Sequence, residues 1–220
     1  MSKDDLLRGL LAQSGAQSGA QLGAQLGDDG RYYGVVVGIV TNNRGGPQGM
    51  HCVRVRFPWL GSEDESHWAR VTSPMAGKGR GAYFLPEVGD EVLVAFEHGC
   101  VEHPYVIGAL WNGRDGAPEN NDDGENSQRS LTSRSGHVIR FNDRAGQETV
   151  EIVDKTGHNR MVFSAANNKI TIEARGDIEL VSQTGKLTIR AVGITLQSTA
   201  GVDVSANASV DIKGALVNLN

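Results

Sequence analysis

Side chains able to do chemistry are few in this chain and widely spaced. Glu97-His98-Gly-Cys100-Val-Glu102-His103 places two histidines, a cysteine and two carboxylates in one short stretch, residue types that suit zinc. No CxxC or HExxH frames them, so they are read as a solvated hairpin loop and no metal is assigned. Gly77-Lys-Gly-Arg-Gly81 invites a phosphate-loop reading, but GxxxxGK[ST] needs a hydroxyl residue after the lysine, and Gly79 follows Lys78. Arg54, Arg56, Arg70, Lys78 and Arg80 would give a barrel a basic face. Against that, residues 63–65 are acidic and the net charge is −5, from 21 basic and 26 acidic side chains. A nucleic-acid coat needs a basic surface, so no nucleic-acid partner is expected. Asp203 and Asp211 recur at similar places in a repeat, but paired carboxylates act on glycosides only across a cleft. The sequence therefore assigns no catalytic residue and no cofactor.

Two cysteines, Cys52 and Cys100, cannot build a disulfide framework, which implies synthesis in a reducing compartment. No run of 18 apolar residues is present and the N-terminus has no apolar signal core. The expectation is synthesis in a bacterial cytoplasm.

The elements that would position any site divide the 220 residues into four segments. Residues 1–28 are a flexible or helical tail built on a Gly-Ala-Gln repeat. Residues 29–112 are a β domain, 113–135 an acidic Asn/Asp/Gly linker, and 136–220 a repeat region. All 6 prolines and ten of the twelve aromatics lie before residue 119, whereas residues 164–220 contain neither type. The 29 glycines follow no collagen period.

The repeat is the strongest signal. Seven apolar–polar–apolar triplets begin at Ile170, Ile178, Leu187, Ile194, Val202, Val210 and Val217, separated by 8, 9, 7, 8, 8 and 7 residues. Alternation of period two predicts short strands with one buried face. Gly176, Gly185, Gly193 and Gly201 between them predict tight bends or positive φ. A coil of a single-chain β-helix needs roughly 18 to 25 residues for its three faces. A unit of eight supplies one strand and one bend, and buries two side chains. Three chains could each supply one face of a slender prism; one chain folding three units into each coil is the other arrangement. The three-chain reading predicts an inward core of Ile170, Ile172, Ile178, Leu180, Leu187, Ile189, Ile194, Leu196, Val202, Val204, Val210, Ile212, Val217 and Leu219. Thr171, Glu179, Thr188, Thr195, Asp203, Asp211 and Asn218 would face outward. Upstream, Ile139-Arg-Phe141, Val150-Glu-Ile152 and Met161-Val-Phe163 recur every 11 residues around turn-like joints. They predict longer strands or hairpins that widen the prism base.

In residues 29–112 the pattern predicts strands over Tyr33–Val40, with bulges at Gly34 or Gly38, over Cys52–Phe57, Glu91–Phe96 and Tyr105–Leu110, joined by a loop His98–Pro104. Five strands with glycine turns make a small barrel. The stretches Arg54-Val-Arg-Phe-Pro-Trp59, Trp68-Ala-Arg-Val71, Ser73-Pro-Met-Ala-Gly-Lys-Gly-Arg-Gly-Ala-Tyr-Phe84, Pro86-Glu-Val-Gly-Asp-Glu-Val-Leu-Val94 and Pro104-Tyr-Val-Ile-Gly-Ala-Leu110 resemble a known family. That family is the oligonucleotide/oligosaccharide-binding (OB) barrel of contractile-tail spike proteins: phage baseplate assembly protein V, the tail spike of contractile-tailed phages, and the VgrG spikes of type VI secretion.

The resemblance implies an all-β chain, an OB barrel followed by an intertwined triple-stranded β-helix, assembled as a homotrimer. It implies a structural, non-enzymatic spike that pierces a target membrane on sheath contraction. Its partners would be a hub protein on a separate chain, the tube, and a PAAR-type tip protein at the C-terminal end. The chain is expected to be the short stand-alone type, without hub, lysozyme or effector domain, carried in a phage-like or secreted injection particle. A receptor- or glycan-binding tail fibre using the barrel is the alternative.

Overall fold

The computed structural model describes residues 30–48, 50–60 and 65–218. The tail at 1–28 and the last inward residue, Leu219, lie outside these described residues.

Among the described residues, every regular element other than two 3-10 turns is a strand. Strands β1 (Val35–Asn42), β2 (Cys52–Arg56) and β3 (Ala69–Val71) are followed by the two-residue strands β4 (Ala76–Gly77) and β5 (Arg80–Gly81), then β6 (Glu91–Phe96) and β7 (Pro104–Leu110). A closed barrel runs in the order β1-β2-β3-β7-β6, with β3 and β7 parallel and the other neighbours antiparallel. Its inward positions carry the core: Val40, Val53, Val55, Val92, Val94 and Val106 are fully buried. Burying each such side chain contributes about 1.5–3 kcal/mol. Phe57 and Phe96 meet edge-on, ring centroids 5.6 Å apart, and the Tyr32 ring lies tilted against Trp59 at 4.8 Å. The buried set of the described residues holds no polar side chain.

Two local expectations change. The first strand is Val35–Asn42, and its irregularity falls between Val40 and Asn42 rather than at Gly34 or Gly38. Gly38 stays in register opposite Val92. Its role is close approach, since an added Cβ would lie 2.2 Å from Val55 Cγ1. The loop expected to run through Pro104 is shorter, because Pro104 is buried and opens β7.

A second sheet follows as an antiparallel meander: β8 (Gln128–Thr132), β9 (Val138–Asn142), β10 (Thr149–Val153), β11 (Arg160–Ser164) and β12 (Lys169–Glu173). The 11-residue spacing becomes register: Phe141 faces Val150 and Val150 faces Phe163, while Ile139 faces Ile152 and Ile152 faces Met161. The hairpin joints turn at Gly146 (φ 75°) and Gly157 (φ 73°), left-handed conformations that favour glycine. Strand β8 falls in the stretch read as linker, because Leu131 is its one apolar residue and gives no alternation. The first triplet, Ile170-Thr-Ile172, is the core of β12 and pairs back on β11.

Among the described residues, none beyond Glu173 belongs to a strand. The backbone instead bends at 175–176, 183–185, 192, 199–200, 207–208 and 215, one bend in every gap between successive triplets. Gly176, Gly185, Gly193 and Gly201 do not take positive φ, so these joints are bends rather than left-handed turns.

Candidate assembly surface

In an antiparallel sheet, residues directly opposite share a face. Register therefore places Phe141, Val150, Phe163 and Ile170 in one cross-strand row, and Leu131, Ile139, Ile152, Met161 and Ile172 in the next. That side of the meander is apolar but for Arg129, opposite Phe141. The other side is mixed, with Arg140 opposite Ser130 and Glu151 and Arg160 opposite Glu173, and with Val138, Val153 and Val162 among them.

The exposure is inverted relative to a sheet that covers its own core. Ile170 is 63% exposed and Phe141 45%, whereas Arg140 and Glu151 are half-buried. The linker explains the covered mixed side. Glu119 accepts from Arg140 at 3.0 Å, Asp123 accepts from Arg144 at 2.6 Å, and Glu151 lies 3.8 Å from Arg140. Arg134, in the turn after β8, reaches back to Glu87 beside the barrel at 3.1 Å. A contiguous apolar face of this size marks an interaction surface.

The triplet residues continue that surface. Ile178, Leu180, Leu187, Ile189, Ile194, Leu196, Val202, Val204, Val210, Ile212 and Val217 are between 48% and 75% exposed. Their polar neighbours Glu179, Thr188, Asp203 and Asp211 are exposed as well, so a single chain does not distinguish inward from outward positions. The hydrogen bonds of this stretch are local. Gly185 N–H donates to Ser182 Oγ, the N–H groups of Ala200 and Gly201 donate to Ser198 Oγ, and Arg175 N–H donates to Asn159 Oδ1. Val181, Val192 and Leu216 are exposed apolar residues outside the alternation, and the triplet pattern does not account for them.

The other sequence candidates are dispersed. Among the described residues no three His, Cys, Asp or Glu side chains converge on a point that would hold a metal. The Glu97–His103 stretch is a tight turn, with Cys100 N–H donating to Glu97 O and His103 N–H to Cys100 O. The Glu97 carboxylate accepts from Tyr105 Oη at 3.2 Å. Gly77–Gly81 spans the β4–β5 hairpin rather than a strand-to-helix phosphate loop. The arginines are engaged separately: Arg54 lies 5.0 Å over Trp68 and pairs with Glu65, and Arg70 lies 5.7 Å over Tyr105. Burial pushes the Cys52 thiol above its ordinary pKa. No helix among the described residues is long and apolar enough to cross a membrane.

A groove of about 1570 Å³ joins barrel to sheet, lined by Phe84, Leu85 and Trp111 on one side and Leu131, Ile139 and Ile152 on the other. Sequence reasoning placed Ile139 and Ile152 in strands and Leu131 in the linker, but none of them in a shared surface. The available signal was the common 11-residue period, which puts the apolar pairs in cross-strand register.

Comparison with known proteins bears on the same two regions. Residues 36–111 match the type VI secretion system/phage-baseplate injector OB domain. Over 136 residues the chain is 35% identical to the type VI secretion system spike protein VgrG4b of Pseudomonas aeruginosa, covering 54% of this chain and 16% of that protein. It is 34% identical to VgrG5 of the same organism over 138 residues (54% and 17%), and 31% identical to VgrG3 of Vibrio cholerae over 120 residues (48% and 12%). The chain thus spans less than a fifth of the length of these relatives. The barrel is similar to an injector OB domain, and over about half of its length the chain is similar in sequence to VgrG spike proteins.

Proposed function

We propose that three copies of this chain form the rigid spike of a contractile injection machine. The carrying observation is the inverted exposure of the meander, continued by a run of apolar triplets that have bends at the right period and no strand partners within the chain. Unpaired backbone and exposed Ile, Val and Leu are both costly in one chain. Three chains wound around a common axis satisfy both at once. Each triplet turns its two aliphatic side chains inward, and each short strand finds a neighbour. The inward set is the one the alternation assigns, from Ile170 and Ile172 to Val217 and Leu219. A narrow axis has room for aliphatic side chains, and residues 164–220 carry no aromatic.

Such a prism transmits axial force, because its length is held by continuous strand pairing and its axis is close-packed. It needs no catalytic residue; sheath contraction supplies the work that carries the tip through a membrane. In this reading the barrel is the collar that docks on a hub and tube, residues 113–135 connect it to the prism, and the C-terminal end receives a PAAR-type tip protein. Light scattering on the purified full-length chain tests the assembly. A mass of about 70 kDa, three times the 23.5 kDa chain, is expected, and a 23.5 kDa particle would refute the reading.

A further inference from the structure

The β4–β5 hairpin stands apart from the closed barrel as a sheet of its own. Ala76 pairs with Gly81 and Gly77 with Arg80, and residues 74–81 are all exposed. Its base is fixed. Ser73 Oγ–H donates to the Ala82 carbonyl at 2.6 Å and lies 3.0 Å from that of Met75, and Ala82 N–H donates to Met75 O at 3.0 Å. Gly81 has φ 150°, and an added Cβ would lie 2.5 Å from Met75 O, so the strand crossing at the base needs glycine.

The hairpin carries side chains of two kinds. Lys78 sits in the turn, and the Arg80 guanidinium lies over Gly77, where an added Cβ would come within 3.1 Å of Nε. Among the described residues neither cation joins an ion pair. Other arginines of the barrel are engaged at home, Arg54 by Glu65 and Trp68 and Arg70 by Tyr105. From Ser73 to Pro86 there is no acidic residue. The first two beyond it are occupied: Glu87 pairs with Arg134, and Asp90 accepts from the Glu87 N–H at 2.9 Å. The second kind is apolar. Met75, Tyr83 and Phe84 are 54%, 74% and 66% exposed, and the Tyr83 ring is held 4.8 Å from His51.

We infer that this hairpin binds a membrane surface rich in anionic lipid. Two cations without counter-ions attract headgroup phosphates, and each Lys or Arg close to such a surface tightens binding about fivefold. Met75, Tyr83 and Phe84 supply the second signal that stable anchoring takes, with rings suited to the headgroup level. The net charge of −5 does not oppose this, because exposed charges farther than about 8 Å are screened at physiological salt. The shape fits as well: a projecting hairpin enters a flat, deformable surface, whereas single-stranded nucleic acid lies in a basic groove. On a spike, the finger would hold the collar against the bilayer that the tip has crossed; that role, unlike the binding itself, rests on the spike reading.

The test is flotation of the full-length chain with vesicles of phosphatidylcholine alone or mixed equally with phosphatidylglycerol. Binding is expected with the mixed vesicles only. It should weaken at least about twentyfold in Lys78→Ser with Arg80→Ser, and that difference should vanish at high salt. Tyr83→Ser with Phe84→Ser should weaken it at every salt concentration, because apolar contact is lost rather than charge. Lys155→Ser, which removes an exposed cation from the β10–β11 turn, should bind as wild type does. Near-UV circular dichroism of each variant checks that the barrel is intact. Wild-type protein that ignores the mixed vesicles at low salt overturns the inference, and the cations then face an acidic protein. Binding that survives loss of both cations overturns it too. Light scattering on the same samples keeps the readings apart: a trimer that binds no vesicles fails this inference alone, and a monomer that binds them fails only the assembly.

Discussion

The barrel and the C-terminal stretch are both built on Val, Ile and Leu, yet they differ in how those side chains are covered. In the barrel, five strands curve until the first and last pair, so inward valines meet inward valines of the same chain. Beyond Glu173 each unit offers one apolar triplet outside any strand and then bends, so its apolar pair stays largely exposed. Closure takes strands long enough to curl; a unit of eight residues cannot curl around its own side chains. The meander lies between these cases, with each strand paired to its neighbours but with β8 and β12 as open edges and its apolar face open. Alternation therefore marks one apolar face in every region, while strand length and spacing decide whether the chain can cover that face itself.

The comparison breaks most sharply if the two regions can be unfolded separately. Ile194→Asp with Leu196→Asp should abolish the 70 kDa species, because six carboxylates cannot share a narrow apolar axis. The barrel's near-UV signal should survive, and its loss would mean that the barrel depends on the prism. Conversely, Phe57→Ala removes a ring from the barrel core and should cost about 3–5 kcal/mol of barrel stability in denaturant titration. Gly38→Ala should cost about 1–3 kcal/mol there, because the new methyl would crowd Val55 and the Arg56 carbonyl.

Smaller effects sharpen the boundary between barrel and meander. Arg140→Ala removes the links to Glu119 and Glu151, both half-exposed pairs, and should cost less than about 1 kcal/mol, with faster proteolysis across 113–127 as the more sensitive readout. The smallest effect is a pH response in the β10–β11 hairpin. The Asp154 carboxylate accepts from Thr156 Oγ1 at 2.8 Å and from Asn159 Nδ2 at 2.9 Å, and these bonds hold its pKa below the usual carboxylate value. Because the folded value is the lower one, the turn is favoured above the ordinary carboxylate range and loosens as pH falls through the depressed value. Amide shifts of Thr156 and Asn159 should follow that titration, and in Asp154→Asn they should be flat.

Much of this architecture was legible in the residues. Strand Glu91–Phe96 was readable as an apolar run opened by the Val88-Gly-Asp turn, the 11-residue pairs because alternation and turn chemistry agree there, and the bends fall in the gaps the triplets define. Strand β8 was not, since one leucine among polar residues carries no period. Gly38 misled because glycine serves bulges and close packing alike, and only the neighbouring Val55 decides between them. The covered mixed side of the meander was also illegible. It depends on Glu119 and Asp123 reaching arginines 21 residues away, and such pairs leave no local pattern. The apolar face was visible as strands but not as a surface, because sharing a face is a property of register.

Hydrogen–deuterium exchange of the native full-length protein tests the central claim most directly. Within one chain the amides of 178–212 have no strand partners, so any protection there must come from other copies. The account predicts that these amides exchange as slowly as those of Val92–Val94 in the barrel core. Exchange of 178–212 at the rate of an unstructured chain, beside a protected barrel, would contradict it.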